Sequence, residues 1–196
     1  APQTVATDLD PAPPTGLGRI AAEPEEFEAA LVGVIRRLRP DVLLTHGTNG
    51  EYGHPQHVYT NQVVRRAFVS AGEAGAFPEA GAAHAPAALY TWAAHYPTEG
   101  DERLERLLNQ DDPADWLLAL DEELVDAKEA AAACHRSQMA LFQRRSKTEP
   151  LRTLIKWQES LRLAAMREGL EGDALGELLV AAVDDGKWVA GVRSAP

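Results

Sequence analysis

The chain has 196 residues, with 19 basic against 30 acidic side chains and a formal net charge of −11. That balance argues against a nucleic-acid or anionic-membrane surface, and no apolar run approaches the roughly 20 residues of a membrane-spanning helix. A hydrophobic content of 45% suits one soluble domain over residues 1–196 with cytoplasm as the default compartment, and the single cysteine, Cys134, excludes an internal disulfide or a multi-cysteine metal site.

Residues 1–22 are proline-rich and lack a hydrophobic period, as a loop would. Pro24-Glu25-Glu26 then opens a helix in which Phe27, Leu31, Val34, Ile35 and Leu38 recur at helical spacing. Arg36, Arg37 and Arg39 near its end suit the negative pole of the helix dipole. An apolar strand at 41–46 runs into a turn rich in Gly47, Asn49, Gly50 and Gly53, and Pro55 starts a helix over 55–70. Residues 71–86 form a loop and 87–93 a strand, followed by a polar segment with one short helix. A short strand at 117–121 leads into a long helix over 122–145. Leu151, Leu154, Ile155, Leu161 and Ala165 mark a helix over 149–168, with another over 173–183 and a last strand within Gly186–Val192. Residues 147–196 thus read as a C-terminal helical extension. Alternating elements predict an α/β fold, with strands 41–46 and 87–93 as parallel neighbours crossed over by helix 55–70.

The chemistry concentrates in His54-Pro55-Gln56-His57. Two histidines three apart in the first helical turn project from one side, and the positive helix end disfavours imidazolium, leaving neutral rings of the kind a metal requires. Two histidines alone cannot hold a catalytic zinc, so capping or surface roles stay open. The glycines before them favour a site where backbone closely approaches an ion or substrate. His46 ends the strand at this turn, in a structural or supporting position. His95 follows strand 87–93, either as a substrate contact or in a loop. His84 reads as solvated, His135 as hydrogen-bonded within the fold, Cys134 as a buried helical thiol, and Asp111, Asp112 and Asp115 as a solvated turn and helix cap. Trp92, Trp116, Trp157 and Trp188 read as core or interface residues.

The run RRLRPDVLLTHGTNGEYGHPQHV, with NQVVRRAF after it, resembles the second signature of the LmbE-like (PIG-L) zinc-dependent N-deacetylases, approximately I-R-x-x-x-P-D-V-V-x-T-H-x-x-x-G-x-x-G-H-P-D-H. ALYTWA (88–93) resembles the family's next strand, and LDEELVDAKEAAAACHRSQ (120–138) a later helix, so the likeness covers about residues 30–145. It implies a Rossmann-like three-layer sandwich with a mostly parallel sheet. It further implies zinc-dependent removal of an N-acetyl group from an N-acetylglucosamine-type amino-sugar conjugate. In that reading His57 is a zinc ligand and His54 stabilises the oxyanion or protonates the departing amine. Tyr52 and Asn49 contact substrate, and Gln56 and His46 support the histidines. Gln56 stands where most relatives carry Asp; it accepts a hydrogen bond but brings no full charge. The partner is the small-molecule conjugate, with no nucleic acid or membrane, and homo-oligomerisation is left open.

The family's other signature, H-P-D-D-E, supplies two further ligands and an aspartate general base. It is absent, and no H-x-x-D occurs in the chain. With the proline-rich opening, this leads to the expectation that the N-terminal portion of the fold is missing here. Two alternatives remain: a non-catalytic carbohydrate-binding or subunit-forming relative, or a different metal site that His46 or His95 completes.

Overall fold

The structure is a computed structural model and describes residues 23–92, 114–136, 158–170, 172, 176–177 and 192–194. Helix α1, Pro24–Leu38, has proline at its start and Glu25 and Glu26 in its first turn. It stops where Arg39 turns left-handed (φ 50°) and returns its N–H to the Ile35 carbonyl. Strand β1, Val42–Thr45, follows, then the single turn α2, Gly50–Gly53, and helix α3, Pro55–Ser70. Strand β2, Ala88–Trp92, pairs parallel to β1, from Val42 opposite Ala88 to Thr45 opposite Thr91. The expected β–α–β unit is present, with α3 as its crossover.

Beyond β2 the sheet departs from expectation. Strand β3 is Trp116–Ala119, helix α4 Glu122–Ala133, strand β4 Gln158–Met166 and strand β5 Val192–Ser194. The order is β1-β2-β4-β3-β5. The β2–β4, β3–β4 and β3–β5 pairings are all antiparallel. The α/β class holds, but among the described residues one pairing in four is parallel, which corrects the mostly parallel sheet. The correction centres on β4, expected as part of helix 149–168 and of a helical extension over 147–196. Gln, Glu, Leu, Arg, Ala and Met are good helix formers, but residues 158–166 sit between β2 and β3. There, ladder hydrogen bonds and packing on both sides outweigh a propensity of a few tenths of a kcal/mol per residue.

Helix α4 also ends earlier than expected, at Ala133. Asp121 caps it, accepting from the Leu124 N–H at 2.9 Å. Cys134 lies just past its end and is exposed, not buried as its alanine-rich surroundings suggested. His135 is exposed as well. Asp115 accepts from the Leu163 N–H at 2.7 Å, and so ties β3 to β4 instead of capping a helix. His84 is within 2.8 Å of the Pro40 carbonyl and is not simply solvated. Residues 1–22, His95, Asp111, Asp112, Trp157, Trp188, the short helix after β2 and the stretch 137–157 lie outside the described residues. So does most of 173–191, with its predicted helix and the opening of its predicted strand.

One face of the sheet is covered by α1 and α3. Val32 and Ile35 of α1 meet Ala67 and Ala71 of α3 over Leu43, while Phe68 packs on Leu89, Ala164 and Ala165. Ala88, Tyr90 and Leu161 form a second cluster with Trp92 and Trp116. Helix α4 bears on β4 through the Lys128–Glu159 ion pair, and its Val125 is buried. Arg36, expected as a dipole partner on the helix surface, is instead buried. Its guanidinium donates to the carbonyls of Ser70, Ala71, Glu73, Ala76, Phe77 and Gly81 at 2.7–3.1 Å. It thereby closes the C-terminal end of α3 and holds the loop behind it. Among the described residues, no helix is long and apolar enough to cross a membrane.

Candidate metal and catalytic centre

Strand β1 delivers His46 to the C-terminal edge of the parallel pair, where α/β sheets present ligand sites. The buried Asn61 of α3 secures that strand end, its Nδ2 donating to the His46 carbonyl at 2.6 Å. The chain then reverses through two successive left-handed residues, Gly50 (φ 65°) and Glu51 (φ 63°). His54 occupies the N-cap position of α3, and the N–H groups of His57 and Val58 both return to its carbonyl. This fold-back stacks the His46 and His57 rings, with centroids 3.8 Å apart and planes 11° from parallel. The His54 ring lies 4.7 Å from His57, tilted by 39°.

Glu51 sits beneath this group, with 9% of its side chain exposed. Its Oε1 accepts from the Gly47 N–H at 2.7 Å. Its Oε2 lies 2.9 Å from Nδ1 of His46 and 3.0 Å from Nδ1 of His57. Burial pushes the Glu51 carboxyl up, but the hydrogen bonds from His46 and the Gly47 N–H outweigh it and hold the pKa below its usual value. For His57, burial is the largest influence and the His46 charge the next. Both push its pKa down against the opposing pull of Glu51, so the ring is neutral near pH 7 and has a lone pair to offer.

His46, Glu51 and His57 bring potential ligand atoms within 4.8 Å of one another, a donor set of two imidazoles and a carboxylate. Imidazole nitrogens suit borderline divalent metals of the zinc type, while both Glu51 oxygens already meet Gly47 N–H and the two Nδ1 atoms. The sequence-predicted residues thus fall into distinct places. His46, His54 and His57 converge. Asn49 lies on the turn before α2, with its Oδ1 buried and lacking a hydrogen-bond partner among the described residues. Gln56 is exposed in the first turn of α3, and Tyr52 has its backbone in α2. Glu51 was not anticipated. Its signal is nonetheless in the sequence, because it is the one carboxylate between His46 and His57.

Gly50 is required where it stands. A Cβ there would lie 2.7 Å from the His57 Cβ and 3.0 Å from the Val58 backbone nitrogen, on a backbone that disfavours L side chains. Gly50→Ala is expected to cost at least about 1 kcal/mol from the left-handed conformation alone and to push His57 off His46. Its melting temperature should fall by a few degrees and its zinc affinity should weaken, as read by thermal melting and chelator competition. Gly33→Ala, in α1 with nothing within 4 Å of the added Cβ, is the control and should be neutral or stabilising.

Residues 11–68 match the PIG-L family, described as GlcNAc-PI de-N-acetylase. Similar curated proteins include 1D-myo-inositol 2-acetamido-2-deoxy-alpha-D-glucopyranoside deacetylase 2 of Catenulispora acidiphila, 36% identical over 61% of this chain and 45% of that protein. Deacetylase 1 of the same name from Frankia casuarinae is 30% identical over the same shares of each chain. A shorter match, 48% identical over 26% of this chain and 18% of the relative, is to the deacetylase of that name from Nocardiopsis dassonvillei. The chain spans a little under half the length of the first two relatives, 45% of each. Among solved structures, the conserved protein TT1542 from Thermus thermophilus is 18% identical, with a TM-score of 0.47 over 74% of this chain and 61% of that one. With the G-H-P-Q-H turn and its strand and helix in place, the chain is similar over residues 11–68 to the LmbE-like (PIG-L) family.

Proposed function

We propose that this chain carries the histidine half of a zinc-dependent N-deacetylase centre acting on an N-acetylglucosamine-type amino-sugar conjugate. The observation that carries the reading is the gathering of His46, His54 and His57 over the buried Glu51 at the edge of β1. The resemblance of this segment to a family whose relatives bear the names of glucopyranoside deacetylases supports the substrate class.

In this reading His57 holds the metal. When bound, zinc supplies an acidified water and polarises the acetyl carbonyl. Hydrolysis of the amide adds water across the C–N bond and releases acetate and a free amine. His54 serves the developing oxyanion, or returns a proton to the amine nitrogen as the C–N bond breaks. Asn49, with its buried Oδ1, and Tyr52 on the same turn contact the sugar. Gln56 and His46 support the histidines, and cytoplasm is the proposed compartment.

The test uses the native protein and a 2-acetamido-2-deoxyglucopyranosyl inositol. Acetate and free amine should appear in equal amounts, disappear with a chelator and return with zinc. Binding of the sugar without acetate release, at full zinc occupancy, would replace this reading with that of a non-catalytic carbohydrate-binding relative.

A further inference from the structure

We propose that Glu51 is a positioning residue that locks both His57 and His46 in the tautomer carrying hydrogen on Nδ1, so that each presents its Nε2 lone pair. The inference deepens the proposed function and rests on His57 being the metal ligand. Its first support is the backbone. Glu51 has φ 63°, a conformation that costs an L residue roughly 1–2 kcal/mol and in which glycine would be at ease. The neighbouring left-handed position is glycine. A charged side chain retained under strain, with its carboxylate buried, implies that the carboxylate itself is needed.

The second support is the hydrogen-bond count. An ionised carboxylate can only accept, and this one meets three donors. Gly47 N–H reaches Oε1, and both imidazole Nδ1 atoms reach the same Oε2 at 2.9 and 3.0 Å. Both rings must therefore carry hydrogen on Nδ1, which leaves the lone pair on Nε2. With that oxygen already engaged by two N–H groups, Glu51 acts through the imidazoles and not on the metal. A histidine ligand backed by a carboxylate is held in ring orientation and made more basic. The parallel stack of His46 on His57 follows from sharing one acceptor.

The decisive measurement is long-range proton–nitrogen correlation NMR on the metal-free native protein at pH 8, where neutral rings report their tautomers. His46 and His57 should both appear as the Nδ1–H form. Glu51→Gln and Glu51→Gly should both lose that preference at His57. Glutamine has one acceptor oxygen for three donors, whereas glycine removes the acceptor and relieves the backbone, so a preference lost in both variants follows the carboxylate and not the backbone strain. In both, zinc affinity measured by chelator competition should drop about 10- to 100-fold. The visible bands of the cobalt-substituted protein should keep their positions, since no ligand is lost.

An Nε2–H form of His57 in the native protein would overturn the inference, as would unchanged tautomers in both variants. Cobalt bands that shift on Glu51 substitution would make Glu51 a ligand and likewise overturn it. A native protein with the expected tautomers but no zinc binding would refute the metal reading of the function and leave the hydrogen-bond assignment intact.

Discussion

His57→Ala is expected to remove zinc and turnover together, whereas His54→Ala is expected to keep zinc and lower kcat by roughly two to three orders of magnitude. The two side chains begin the same helix with ring centroids only 4.7 Å apart, so proximity alone does not assign their roles. Their surroundings support the proposed division. His57 is backed by the Glu51 carboxylate at 3.0 Å, stacked on His46 and kept neutral by burial, which are the properties of a ligand. His54 stands at the N-cap of α3, tilted away from that stack. An interaction made mainly in the transition state affects kcat far more than KM, so substrate affinity in His54→Ala should change little. Zinc content is read by metal analysis of the purified variants and turnover by acetate release. Loss of zinc from His54→Ala would exchange the two roles. Unchanged turnover would reduce His54 to a helix start.

The part of the fold nearest this site was the part most legible in the sequence. Val42–Thr45 and Ala88–Trp92 are short apolar runs bounded by proline, glycine or polar residues, and the helix between them announces itself with Pro55. Such local signals suffice for a β–α–β unit, because its handedness and parallel pairing follow from chain geometry. Residues 158–166 carried the opposite signal. Leu161 and Leu163 satisfy a two-residue period about as well as a helical one, and only the neighbouring β2 and β3 decide the outcome. A residue whose state is fixed by partners some forty to eighty positions away in sequence cannot be read from its own window.

The same distinction divides the site. His54 and His57 were visible because their spacing is local to one helical turn. His46 was identified as a strand-end residue, but its stacking on His57 depends on a chain reversal eleven residues long. Glu51 was passed over because it stands in a glycine-rich turn, where a charged residue reads as solvent-facing. Its φ of 63° and its burial are properties of the folded turn. Arg36 was misread for a related reason. It shares the end of α1 with Arg37 and Arg39, which are exposed, and composition does not single out the one that turns inward.

Arg36→Met is expected to destabilise the fold by roughly 3–4 kcal/mol and lower the melting temperature by about 10 °C. Methionine keeps much of the aliphatic stem, so the loss isolates the guanidinium. Its five N–H hydrogens serve six carbonyls, with one shared. Ser70 and Ala71 bring carbonyls from the end of α3, where a helix has acceptors without intrahelical donors and a negative dipole pole. The remaining four carbonyls belong to the loop over 73–81, whose alanine, glycine and proline side chains offer no donors of their own. Arg36→Lys should recover only part of the loss, because an ammonium has three hydrogens and no planar fork. The clamp lies at the opposite end of α3 from His57, about 20 Å away at 1.5 Å per residue. Below its melting transition the variant should therefore bind zinc as tightly as the native protein, while amide exchange across 71–81 accelerates. Denaturant and thermal unfolding measure the stability change, and a loss under about 1 kcal/mol would mean that solvent replaces the guanidinium at those carbonyls.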